Sequence, residues 1–128
     1  MKIKEGMTVL VVDDQYTYRE LAAFSIESEL GIPYHQVLQA GTLDEARMHF
    51  ANNKEIIMAV CLDGCVDSYD ELDSIPLITE FAGEGRLIVA MSSSDIYRCE
   101  MMKAGCTHES SSKRSVGAVL KRAFAEKE

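Results

Sequence analysis

What the chain lacks narrows its options first. No stretch approaches the roughly 18–20 consecutive apolar residues of a membrane-crossing helix. The longest uncharged apolar runs cover residues 56–62 and 87–91, so no membrane insertion is expected. The opening Met-Lys-Ile-Lys-Glu-Gly holds no apolar signal core, which points away from secretion and toward the cytoplasm. Positive charge is in short supply, with 13 Lys and Arg against 21 Asp and Glu, a net charge of −8. Such a surface repels phosphate backbones and disfavours direct nucleic-acid binding. Internal repeats, low-complexity tracts and linkers are missing. The four cysteines lack a second close pair, and structural zinc takes four ligands, usually from two such pairs. Without a secretion signal they read as reduced thiols. Cys99 and Cys106 read as small buried hydrophobes, Cys61 as a strand packing residue and Cys65 as a loop residue.

What is present is a core. The chain has 128 residues, 47% hydrophobic and 27% charged, enough for one soluble globular domain. We expect that domain to span 1–128, with its core at about 8–124. Short β-branched or apolar runs at 8–12, Val37-Leu38, 56–62 and 87–91 alternate with stretches of helical spacing. The first helix is expected over 18–30, where Ala22, Ile26 and Leu30 repeat every four residues and Gly31 and Pro33 end it. Thr42-Leu43-Asp44-Glu45 forms a capping box for the second, with Leu43, Ala46 and Phe50 inward. A short third helix follows Pro76 and carries Leu77, Ile78 and Phe81. The fourth begins near Ser94-Asp95, carries Ile96 and Cys99 on its apolar face, and stops at Gly105. The last covers 115–125, with Val116, Val119, Leu120, Ala123 and Phe124 inward. Strands and helices alternating at this pace make βαβ units, and runs without internal alternation fit strands covered on both faces. The expected fold is α/β, an open doubly wound parallel sheet. Its fifth strand can only be an edge strand, because 107–112 are polar throughout.

In such sheets the ligand crevice lies at the carboxyl ends of the strands. Asp13-Asp14, Asp63, Ser92-Ser93-Ser94 and Lys113-Arg114 all fall there. Three carboxylates gathered on one rim repel, so one takes up a proton or the group recruits a cation. Mg²⁺ suits them, being hard and satisfied by one or two carboxylates plus water and phosphate oxygens. A carboxylate in that setting can act as a nucleophile toward phosphorus, with a hydroxyl and a lysine holding the phosphoryl oxygens. Blander readings remain for each residue. Asp13-Asp14 could be a pair favoured by a helix dipole, Asp63-Gly64 a turn, and Lys113 a solvated helix start. Ser94 reads as the cap of the fourth helix, which leaves Ser92 free.

Val11-Val12-Asp13-Asp14, Asp63 at a strand end, Ala90-Met91-Ser92-Ser93 at another, and Ala104-Gly105 ahead of a lysine together resemble the receiver domain of two-component response regulators, of the stand-alone kind. The resemblance runs from about Thr8 to Phe124. It implies a flavodoxin-like sheet of five parallel strands in the order 2-1-3-4-5 with five helices. It implies Asp63 as phosphoacceptor. Asp13, Asp14, Asp63 and the backbone carbonyl of Cys65 would hold Mg²⁺. Ser92 would be the hydroxyl that turns toward the phosphoryl group, Ser93 the small residue beside it, and Lys113 the cation on the phosphoryl oxygens. The implied partners are a histidine kinase or histidine phosphotransfer protein upstream and a protein target downstream, met by the last helices and the edge around 108–112. The domain would act on itself and not as an enzyme on outside substrates.

Three features depart from that pattern. The family's lysine position falls on Ser112, so Lys113 stands one residue late, with Arg114 as a rival and no proline after it. The aromatic switch position falls on Glu109 or Ser110, leaving His108 or Tyr97 as substitutes. The loop after Asp63 reads Gly64-Cys65-Val66-Asp67-Ser68-Tyr69-Asp70, an acidic stretch expected to be mobile. These departures keep a second reading open, a receiver-like interaction scaffold that no longer switches by phosphorylation. A third, a cysteine-based metal or redox role for Cys61 and Cys65, faces magnesium's preference for oxygen over thiolate.

Overall fold

Strand β1 (Thr8–Val12) is buried along its whole length. β-Branched residues suit a pleated surface, and cover on both faces removes the usual polar alternation. The computed structural model describes residues 5–126; the first four residues, part of the stretch without a signal core, and the last two lie outside the described residues. Around β1 the sheet is parallel, in the order β2-β1-β3-β4-β5. The flanking strands are β2 (Leu38–Ala40), β3 (Ile57–Leu62), β4 (Leu87–Ala90) and β5 (His108–Glu109). Five α-helices cover it: α1 (Tyr16–Leu30), α2 (Leu43–Asn53), α3 (Ile75–Phe81), α4 (Asp95–Ala104) and α5 (Val116–Glu126). The expected fold and strand order are therefore present, and β5 is the expected meagre edge, two residues long.

Two apolar clusters sandwich the sheet. Val9 and Val11 of β1 join Ala22, Ile26, Leu120 and Phe124 on one face. Leu10 and Val12 point the other way, toward Ala46, Leu77, Phe81 and Met101. This is the two-residue period of a strand feeding two separate layers. Each fully buried Val, Leu, Ile or Phe among them contributes about 1.5–3 kcal/mol relative to exposure.

Local chemistry sets the helix ends. α1 starts at Tyr16, two residues before the expected start, because the Asp13 carboxylate accepts the Gln15 N–H at 2.8 Å and begins the helix early. Thr42 caps α2 by accepting the Glu45 N–H at 3.0 Å. Glu45 answers by accepting the Thr42 hydroxyl at 3.4 Å. α4 is the clearest correction. Ile96 is 74% exposed and Cys99 is exposed, and Met101 is the residue that enters the core. At 100° per residue, Met101 lies about 140° from Ile96 and about 200° from Cys99 around the axis, so one face cannot hold all three. Ser94 at the N-cap and Gly105 at the C-cap, with φ of 125°, bound the helix, and Met101 packs into the apolar cluster under the sheet. Cys106, by contrast, is buried as expected.

α1 and α5 meet with almost no gap. A Cβ on Gly117 would lie 2.2 Å from the Ser25 carbonyl oxygen, so only glycine fits. The Ser25 hydroxyl bridges the seam, donating to the Arg114 carbonyl at 2.8 Å and accepting the Gly117 N–H at 2.9 Å. At the amino ends of the strands, away from the carboxylates, Arg86 is buried. It donates to the carbonyls of Ile57, Phe81 and Lys54 and stacks on Phe50.

Candidate functional site

The sheet ladder runs one residue past each strand and so aligns the chain exits. Asp13 N–H donates to the Ala40 carbonyl at 3.1 Å, Asp63 N–H to Val12 at 2.9 Å, Met91 N–H to Leu62 at 2.9 Å and Ser110 N–H to Ala90 at 2.8 Å. Backbone pairing, not side-chain preference, therefore puts Asp13 and Asp63 shoulder to shoulder. Asp13, Asp14 and Asp63 each bring a carboxylate oxygen within 4.8 Å of the others. Asp13 is 0% exposed, Asp63 half-buried, and Asp14 faces solvent.

Lys113 reaches this cluster despite its displaced register. Its Nζ is 3.2 Å from Asp63 Oδ1 and 3.5 Å from Asp13 Oδ2, with the side chain only 12% exposed. The displacement is absorbed by a 3-10 turn at Lys113–Ser115. Ser112, at the family's lysine position, spends its hydroxyl capping that turn by accepting the Ser115 N–H at 3.2 Å. The aliphatic stem of Lys113 carries its ammonium past the Tyr18 ring, 5.3 Å from the ring centre. Arg114 does not compete for the carboxylates. Its side chain is exposed and makes no ion pair among the described residues, and it borders a cleft of about 240 Å³ together with Tyr18, Ser93 and Ser111.

The charge balance explains the titration of the site. Burial, reinforced by Asp63 and Asp14, raises the Asp13 pKa to about 6, against the lowering effects of the Gln15 N–H and Lys113. Burial also raises Asp63, with Lys113 pulling it back down. Asp13 Oδ2 is buried without a hydrogen bond; Lys113 at 3.5 Å serves it as an ion-pair partner only. Three hard oxygen donors, one of them buried and short of a donor, face a single ammonium. A small divalent cation such as Mg²⁺ fits that deficit. The Cys65 thiol does not add to the donor set. Burial, Asp63 and Asp73 all raise its pKa and keep it protonated, and Cys61 is buried and held protonated by burial. The Cys65 backbone carbonyl accepts no hydrogen bond among the described residues, so it can face an ion.

Ser92, two residues beyond β4, is 4% exposed, its hydroxyl accepting the Ser94 N–H at 3.1 Å and its carbonyl accepting from Arg98 at 2.7 Å. Ser93 is exposed beside it. The two suggested substitutes for the aromatic switch have contacts of their own. His108 bonds the Thr107 hydroxyl at 3.0 Å. Tyr97 packs over Gly64, and its hydroxyl donates to the Asp70 carbonyl at 3.0 Å. Glu109 is ion-paired with Arg98 at 3.2 Å.

Two residues that organise the site escaped the sequence reading. Asp73 gathers the loop after Asp63, accepting the N–H groups of Val66, Asp67 and Ser68 at 2.7–2.8 Å. Its own N–H, with that of Ser74, closes on the Gly64 carbonyl at 3.2 Å. The loop expected to be mobile is thus cross-braced. Asp73 stands two residues before α3, and in an acidic stretch it reads only as charge. Arg98, the other, holds the Ser92 carbonyl from α4.

No protein-family model matches the chain, and no curated protein matches it. Solved structures do. A response regulator receiver domain from Clostridium thermocellum aligns with a TM-score of 0.72 at 20% identity, over 94% of this chain and 96% of its own. The response regulator domain of Thermotoga maritima CheB gives 0.66 at 20% identity, over 94% of each chain. The receiver domain of the putative response regulator NarL from Mycobacterium tuberculosis gives 0.67 at 15% identity, over 96% of each. With its strand order, its five helices and these neighbours, the chain has the fold of response regulator receiver domains.

Proposed function

We propose that this protein is a phosphorylation-controlled signalling domain whose phosphoacceptor is Asp63. The observation that carries the reading is Asp63 at the carboxyl end of β3, with Lys113 3.2 Å away and Asp13 and Asp14 beside it. The donor would be the phosphohistidine of a histidine kinase or histidine phosphotransfer protein. An Asp63 carboxylate oxygen attacks phosphorus in line; the P–O bond forms as the P–N bond breaks, its electron pair returning to the imidazole, which is protonated as it leaves. Bound Mg²⁺, held by Asp13, Asp14, Asp63 and the Cys65 carbonyl, would neutralise charge on the transferred oxygens. Lys113 holds one phosphoryl oxygen and leaves less of its charge on Asp13. The Ser92 hydroxyl turns from the Ser94 N–H to donate to another. Water later cleaves the acyl phosphate and returns the carboxylate. The domain does this chemistry on itself, in the cytoplasm, and passes the result to a protein partner.

The reading is tested by incubation with a small acyl phosphate and Mg²⁺, followed by intact-mass measurement. The expected result is a gain of one phosphoryl group that Asp63→Asn abolishes. No gain, or a gain that survives Asp63→Asn, overturns it. Glu109, ion-paired where the family places an aromatic, favours a second reading, an interaction scaffold that does not switch. That reading requires partner binding to be indifferent to phosphodonor and to Asp63→Asn.

A further inference from the structure

Arg98 touches both the backbone of the site and the outer edge of the sheet. Its guanidinium is engaged on three sides. One nitrogen donates to the Ser92 carbonyl at 2.7 Å, a second pairs with Asp95 on its own helix, and Nε meets Glu109 of β5 at 3.2 Å. A planar fork with donors fixed in direction reaches three separated partners, whereas the three donors of a lysine all radiate from one nitrogen. The side chain is 12% exposed while Glu109 is 51% exposed. The inner contact is therefore shielded and the outer one easily released. Between α4 and β5 lies a groove of about 540 Å³, walled by Arg98, Cys99, Met102 and Glu109. The side chain that holds the Ser92 carbonyl thus also reaches across this groove to Glu109.

We infer that Arg98, through its pair with Glu109, is the positioning residue that couples the state of Ser92 to the opening of the α4–β5 groove. This rests on Asp63 being the phosphoacceptor. When the Ser92 hydroxyl leaves the Ser94 N–H to meet a phosphoryl oxygen, the peptide following Ser92 turns with it. The carbonyl that Arg98 holds moves, the fork follows, and its alignment with Glu109 is lost. An aromatic side chain is unnecessary for this device, because a charge-assisted contact carries the displacement and breaks cleanly on the solvent side. Two packed arrangements of one element, biased from the site, make the coupling.

Cys99 supplies the readout. It is exposed on the groove wall, whereas Cys61 and Cys106 are buried. Its alkylation can be followed by peptide mass mapping, which separates it from Cys65. The probe is a small acyl phosphate with Mg²⁺, applied to the whole chain, with the phosphorylated fraction measured on the same sample. In the parent protein the Cys99 alkylation rate should change about fivefold on phosphorylation, the lower end of ordinary site-to-site coupling. Glu109→Ala removes an exposed partner and should phosphorylate to the same extent, yet show a Cys99 rate that no longer responds. Arg98→Met, which also releases the Ser92 carbonyl, should lose the response among the molecules that still phosphorylate, and Arg98→Lys should restore only part of it. Normal phosphorylation with a Cys99 rate that stays coupled in Glu109→Ala, or that never responds in the parent, overturns this inference alone. Absence of any mass gain overturns the phosphoacceptor reading and this inference with it.

Discussion

Asp13 should make the metal-free protein less stable at neutral pH than in mild acid. Burial raises its carboxyl pKa to about 6 in the folded state, against an ordinary value of 3.8. Below 3.8 the group is protonated in both states and costs nothing. Between the two values the folded state holds a proton that the unfolded state has released, so stability falls as pH rises. Above about 6 both are ionised, and the folded state carries the full penalty of a buried charge. Roughly two pKa units at 1.36 kcal/mol each amount to about 3 kcal/mol, of which about 2 kcal/mol should be lost between pH 4.5 and 7.5. Asp63, also raised, adds in the same direction. The assay is urea unfolding across that range in a chelator, for the parent and for Asp13→Asn. The variant keeps a carbonyl oxygen for the Gln15 N–H but cannot ionise, so its stability should gain on the parent's by those 2 kcal/mol as pH rises. Magnesium at pH 7.5 should restore the parent by about 2.7 kcal/mol at a hundredfold excess over its dissociation constant, and the variant far less. A stability difference between parent and variant that stays constant from pH 4.5 to 7.5 would refute the buried-charge account of the site.

Three further outcomes follow from named contacts. Gly117→Ala drives a methyl to 2.2 Å from the Ser25 carbonyl and should cost about 2–3 kcal/mol or more, read as a lowered melting temperature. Arg86→Met strands the buried carbonyls of Ile57 and Phe81 and should cost about 3 kcal/mol by urea midpoint, while the folded fraction still gains a phosphoryl group. Lys113→Ala should lower the yield of phosphorylated Asp63 about tenfold or more. Arg114→Ala, with no ion pair among the described residues to lose, should stay within about twofold of the parent, and equal losses in the two variants would reject the assignment of the cation to Lys113.

The strands and their order were open to reading because burial on both faces leaves an uninterrupted apolar signature, as in 8–12 and 57–62. The site was open to reading only in outline. Asp13 and Asp63 are far apart in sequence, but both stand one residue beyond an apolar run, and parallel pairing turns that shared position into adjacency. Lys113 was harder. Its approach depends on a turn capped by Ser112, and a one-residue displacement in sequence says nothing about where a long flexible side chain ends. α4 misled because Ile96 and Cys99 look apolar, whereas the face that packs on the core carries Met101, with Met102 and Ala104 against it. Arg98 and Asp73 were invisible for one reason: each acts on backbone atoms, and a carbonyl or N–H leaves no mark in the sequence.

The seam between Ser25 and Gly117 also bears on how this chain can vary. Asp13 and Asp14 lead into α1, and Lys113 leads into α5, so the two helices are the mounts on which anion and cation are carried. With backbone against backbone at Gly117, the mounts are locked at a single spacing, and the ammonium meets its carboxylates at a preset length. A larger residue in the seam would leave every charged group in place chemically and still detune the site, by moving the bench on which it is aligned.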